Sequence, residues 1–137
     1  MGSETLDSND IELIISFNKQ KVEERGEEFE VDKKLLSKIF VKMNSYNHIR
    51  DRRERIVRKA SHILAGITFH QPFGEGNKET ALALTVLYLN RNGFDLALED
   101  KQIMDEIYDI LTKTIREYSI FGEVELYLLK RVSLFYL

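Results

Sequence analysis

The sequence predicts an all-α domain of about six helices around a central apolar one, and three observations carry that reading. A single proline in 137 residues leaves few obligatory helix breaks. Apolar residues recur at spacings of three and four along most of the chain. Acidic residues stand where helices would begin, and glycine stands where one would end. The length fits one domain, residues 1–137. A chain of that size buries roughly 65–70% of its unfolded surface.

Taken in order, Asp10 caps a first helix with Ile11, Ile14, Ile15 and Asn18 at helical spacing. Gly26 then interrupts the acidic stretch VEERGEEFEV. The alternation around Phe29 and Val31 predicts a loop or short extended flap over residues 24–31. Asp32 opens a second helix with an apolar stripe of Leu35, Leu36, Ile39, Phe40 and Met43, which NSYNH breaks. A long helix follows from about Ile49 to near Phe69, with Ile56, Val57, Ala60, Ile63, Leu64 and Ile67 inward. From Asn77 to about Asn92, Leu82, Leu84, Val86, Leu87 and Leu89 leave little polar face, so this is the expected central helix. Gly93 ends it, because glycine tolerates the left-handed conformation after a last turn. Asp100 caps an amphipathic helix carrying Ile103, Ile107, Ile110, Leu111 and Ile115. A last helix, from about Glu123, carries Leu126, Leu129, Val132 and Leu134.

Composition narrows the function. The formal charge of −3 argues against a protein that coats nucleic acid. With no cysteine, there is no disulfide, thiolate metal site or cysteine nucleophile. No apolar run approaches ~18 residues, so no membrane span is expected. The start, MGSETLDSND, has neither the basic beginning nor the apolar centre of a signal peptide, and a cytoplasmic protein is expected.

Chemistry concentrates in FHQPFGEGNKETALALTVLYLNRNGF, Phe69 to Phe94. Gly74 and Gly76 can turn successive backbone N–H groups toward one point, and the following helix start favours an anion there. Asn77 would cap the helix or bind a phosphate oxygen, Lys78 adds positive charge, and Glu75 could hold a Mg²⁺ bridging phosphates. The same residues also describe a glycine-rich turn into a core helix.

Residues 71–81 resemble the signature of the Fic/Doc family, H-P-F-x-D/E-G/A-N-K/G-R-T-A. Pro72, Phe73, Glu75, Gly76, Asn77, Lys78, Thr80 and Ala81 match without a gap, and the apolar helix ends in an NGF turn as the family's does. The likeness is strongest over residues 60–95, and the size is that of the short Doc-like members. The resemblance implies an all-α fold with an active site at the signature loop, 70–81. It implies a transferase moving AMP, or phosphate in Doc-like members, from ATP or another nucleotide onto a protein hydroxyl. Mg²⁺ would sit on the acidic residue, Glu75, and phosphates on Gly74, Gly76, Asn77 and Lys78. A target protein would dock on the flap, 24–31, and an antitoxin or other inhibitory partner would be possible.

Two positions depart from the pattern. In gapless register the family histidine, which takes the proton from the hydroxyl, falls on Gln71, whose amide has no useful basicity. His70 is one residue away, a rotation of about 100° at a helix end, and serves as the base if a one-residue bulge separates it from Phe73. Glu79 stands where the family has a phosphate-pairing arginine, which reverses the charge. These departures keep open a second reading, a Fic-fold binding or regulatory protein that has lost catalysis. SIFGEV, Ser119–Val124, has the Ser and Glu spacing of the family's inhibitory S/T-x-x-x-E-G/N element without its Gly or Asn, and is read as coincidence.

HIRDRRERIVRK, His48–Lys59, is the basic segment. Its plain reading is a solvated helix face with Arg50, Arg53 and Lys59 outward and Asp51–Arg55 and Glu54–Arg58 pairs. A small helical nucleic-acid binder using Arg50–Lys59 is a third, weaker reading, since no aromatic interleaving or helix-turn-helix supports it. His48 and His62 lack partners at metal-ligand spacing and are assigned no metal.

Overall fold

The computed structural model describes residues 4–134, so the first three residues of the N-terminal stretch lie outside it. Six α-helices follow one another: α1 (Ser8–Glu24), α2 (Lys33–Lys42), α3 (Arg52–His70), α4 (Asn77–Arg91), α5 (Lys101–Thr114) and α6 (Ile120–Arg131). A 3-10 turn, Met43–Tyr46, follows α2. Two two-residue strands, β1 (Phe94–Asp95) and β2 (Ser133–Leu134), pair antiparallel and fasten the end of the chain beside the exit of α4. The predicted all-α bundle of six helices is therefore observed.

The helix packed on most sides is α3 rather than α4. It touches α2, α4 and α6, and the whole stretch from Lys59 to Thr68 is buried. Ser61 enters this core because its hydroxyl donates to Val57 O at 2.8 Å, leaving no unsatisfied donor. At Gly66 an added Cβ would stand 3.0 Å from Ile39 Cγ2, so the missing side chain sets how closely α2 approaches. Helix α4 keeps Leu87 38% exposed and packs on α3 and α1.

Capping explains where the helices begin. Helix α1 is capped three residues earlier than expected, by Asp7, because Asp7 and Asp10 bond reciprocally: Asp10 N donates to Asp7 Oδ1 and Asp7 N to Asp10 Oδ2. Such a box satisfies two orphan donors where a single cap satisfies one. Asp10 is then free to pair with Arg91 at 2.8 Å, which holds its carboxyl below the ordinary range. Helix α3 opens at Arg52, three residues later than Ile49, because the Asp51 carboxylate accepts from Glu54 N. Helix α6 opens at Ile120, ahead of Glu123, and buries Ile120, Val124 and Leu128, spaced by four. Leu126 lies two residues from that stripe, about 200° round the helix, and is 60% exposed; Leu134 is exposed too.

The basic segment is spent inside the fold. Arg53 Nη2 donates to Leu129 O and Val132 O at 2.7 and 2.9 Å, anchoring the end of α6. Lys59 is 3% exposed with Glu4 at 3.8 Å, and Arg55 is bonded to Glu4 rather than Asp51, whose carboxylate caps α3. The Glu54–Arg58 pair forms at 2.8 Å. Of the three cations expected outward, only Arg50 remains exposed and unengaged by its side chain among the described residues. That dismantles the cationic stripe on which nucleic-acid binding was to rest.

His62 is buried, with Nε2 at 3.0 Å from Ile39 O, so Nε2–H is the donor. Burial is the main cause of a pKa below its ordinary 6.5. The sign follows: below pH 6.5 the unfolded chain takes up a proton that the folded imidazole resists. Stability should be greatest above pH 6.5 and fall as the pH drops toward the folded pKa. Urea midpoints from pH 7.5 to 5 check this. An equally steep fall in His62→Gln would put the cause elsewhere.

Candidate functional site

The loop between α3 and α4 begins where Gln71 takes the left-handed conformation, φ 51°, and stops α3. Its N–H still bonds to Ile67 O at 3.0 Å, so α3 keeps its helical register through residue 71. The two side chains therefore leave in different directions. The His70 ring lies edge-on to Phe69 at 5.0 Å and 6.3 Å from Phe121. Partial burial and the nearby Lys42 charge lower its pKa. Gln71 instead lines an open cleft of about 370 Å³ with Arg25, Gly74, Glu75, Gly76, Asn77, Lys78, Glu79, Tyr108 and Ile115. His70, the expected base, is not among the residues that line the cleft, whereas Gln71 is.

Three braces hold the loop. On one side, residues 30–32, at the junction of the flap and α2, run antiparallel to residues 72–74. Asp32 N donates to Pro72 O at 2.7 Å and Gly74 N to Glu30 O at 3.0 Å, around the pair Val31 and Phe73. Gly74 permits this contact, since a Cβ there would meet Glu30 Cβ at 3.1 Å. Within the loop, Asn77 accepts from Phe73 N at 3.0 Å and donates to Phe73 O at 2.8 Å. It was expected to cap α4 or bind phosphate; it ties the turn shut instead. From below, Asn18 Nδ2 donates to Glu75 O and to Thr80 Oγ1, both at 2.9 Å.

The N-cap of α4 is Gly76, at φ 73°, with no side-chain acceptor on the first turn. The amides of Asn77, Lys78 and Glu79 thus have no capping side chain, and these residues line the cleft, where a free first turn and the helix dipole favour an anion. Side chains crowd this turn from α1: a Cβ on Gly76 would stand 3.2 Å from Asn18 Nδ2 and Val22 Cγ1 and 3.3 Å from Arg25 Nη2. Glycine is required here by both conformation and space.

The reversed charge at Glu79 is met by Arg25, the C-cap of α1. Its Nη1 donates to Glu79 at 2.7 Å and its Nε to Glu27 at 2.8 Å. These bonds, Glu79's first, hold the guanidinium pKa above its ordinary value. Burial, and then Glu79, raises the pKa of Tyr108 on the opposite wall. Lys78 reaches Thr112 Oγ1 at 3.3 Å. Glu75 lines the cleft and makes no ion pair among the described residues. No group of three or more His, Cys, Asp and Glu is placed for a metal among those residues. One carboxylate suits a Mg²⁺ that arrives on phosphates and keeps its waters.

Gln71, Gly74, Glu75, Gly76, Asn77 and Lys78 are brought together as the loop's spacing suggested, and His70 is not. Sequence reading missed Asn18 and Arg25 as parts of the site. The available signal for Asn18 was a polar residue on the apolar stripe of Ile14, Ile15 and Val22. SIFGEV is removed from the loop: Ser119 bonds to Glu117 at 3.1 Å and Glu123 lines a separate α5–α6 groove. No helix among the described residues is long and apolar enough to cross a membrane.

The sequence profile of the Fic/DOC family matches residues 10–89, from α1 nearly to the end of α4. No curated protein and no solved structure matches the chain significantly.

Proposed function

This chain belongs to the Fic/DOC family, and from that premise we propose that it binds the phosphates of a nucleoside triphosphate such as ATP, with Mg²⁺, in the cleft at residues 74–79. The uncapped first turn of α4, opening beside Lys78 and Arg25, is the observation that carries the reading. Glu75 would hold the metal, and the metal would neutralise phosphate charge. Gln71 lines the cleft and stands, in gapless register, where the family pattern has its proton-accepting histidine. A primary amide orients a hydroxyl through hydrogen bonds but does not take its proton. The protein is therefore best read as a nucleotide-binding, regulatory member of its family with a weakened transfer step.

A second reading, transfer of AMP or phosphate to a protein hydroxyl, is favoured by the flap. With Asp32 and Glu30 bonded to the loop, the N–H and C=O of Val31 point away from it. An extended target segment could add there beside the phosphate site. An inhibitory partner such as an antitoxin would compete for the same edge.

Calorimetric titration with ATP and Mg²⁺, alongside α- and γ-labelled ATP offered with cell lysate, tests both readings. Binding without transfer supports the first. Label on protein supports the second, and its position distinguishes AMP from phosphate. Absence of both binding and transfer overturns the two together.

A further inference from the structure

The cleft contains two cations, and they are held differently. Lys78 leans on Thr112 through a single 3.3 Å contact on an exposed side chain. Arg25 is gripped by two elements: Nε by Glu27 of the flap and Nη1 by Glu79 of α4. Each carboxylate takes one side of the planar guanidinium. Nη2 is left without a hydrogen-bond partner among the described residues, and it lies 3.3 Å from where a Gly76 Cβ would be. The unused donor thus sits over the backbone at the mouth of α4. A surface arginine ordinarily loses much side-chain freedom when it captures a ligand; here two carboxylates have removed that freedom beforehand.

We propose that Arg25, delivered from α1, is the phosphate-contacting cation of this cleft, with Glu79 and Glu27 as the residues that position it. The inference rests on the nucleotide-binding reading above and names the side chain that makes the charged contact. It also gives Glu79 two opposed effects. As an acceptor it aims the guanidinium; as a charge it repels the incoming phosphate. Glu79→Gln separates them, because the amide oxygen still accepts from Nη1 while the charge is gone.

The test compares Mg²⁺–ATP affinities of wild type, Arg25→Gln and Glu79→Gln by calorimetry, with melting curves to confirm that each variant is folded. Arg25→Gln should weaken binding by about tenfold or more, the loss of one charge-assisted contact. Glu79→Gln should bind as tightly as wild type or more tightly. If both variants weaken binding alike, the pair is only a clasp and the proposal fails. If Arg25→Gln binds like wild type, the charged contact belongs elsewhere and the proposal fails while nucleotide binding stands. A wild type that binds no ATP removes the nucleotide reading itself, and this inference with it.

Discussion

Replacing Gln71 by histidine should raise transfer from labelled ATP to protein by about 10²-fold or more, the usual contribution of a positioned general base. Gln71 lines the cleft and already occupies the left-handed region, where histidine is among the better-tolerated side chains. The substitution therefore puts an imidazole into the cleft beside residues 74–79 without reshaping the turn. His70→Ala should change transfer little in either background, because its ring rests against Phe69 and near Phe121, outside the cleft. Radiolabel incorporation with lysate or with the chain itself measures both. Two results would sink the idea: a Gln71→His variant that binds ATP yet gains no transfer, or wild-type transfer that disappears in His70→Ala.

Asn18→Ala should be the most damaging single change near the site. Asn18 is 1% exposed, and its Nδ2 serves both the Glu75 carbonyl and the Thr80 hydroxyl. Truncation leaves those acceptors without their donor and opens a void beneath the loop. The expected cost is about 2–4 kcal/mol, a fall in melting temperature of roughly 6–12 °C. ATP binding should weaken at temperatures where the variant remains folded, since the Gly76 turn loses its support. Asn18→Asp keeps the shape but, when ionised, offers only acceptors, so it should not rescue the loss. A melting temperature within about 2 °C of wild type, under a kcal/mol for a domain of this size, would show that the loop does not depend on this brace.

These two residues mark what the chain disclosed and what it withheld. The loop was legible because its parts are adjacent: Pro72 through Ala81 stand in a fixed order that local backbone geometry must satisfy. Gln71 was legible as well, since an unbroken α3 keeps the register that the spacing implied. Asn18 and Arg25 contact the loop from 57 and 54 residues away, and helical periodicity says nothing about which helix end meets which turn. Centrality was misjudged for a related reason. Helix α3 buries Ser61, His62 and Gly66, which look polar or weak in sequence, but Ser61 bonds within its own turn, His62 bonds across to Ile39 O and Gly66 admits α2. Helix α4 looked more apolar while keeping one side open. The basic segment misled because Arg53, which read as surface charge, is bonded to carbonyls at the end of α6, and Lys59 and Arg55 are drawn to Glu4.

The contact of Gly76 with Asn18, Val22 and Arg25 has a consequence for motion. Helix α1 packs chiefly on α4, and its last two turns rest directly under the loop. Seating of those turns and closure of the loop therefore form a single local opening unit. Whatever fills the cleft must slow amide exchange along Asn18–Glu24, although a ligand there need not touch most of those residues. Loosening the end of α1 must in turn speed ligand escape. The first helix of the chain is in this sense part of the loop it supports.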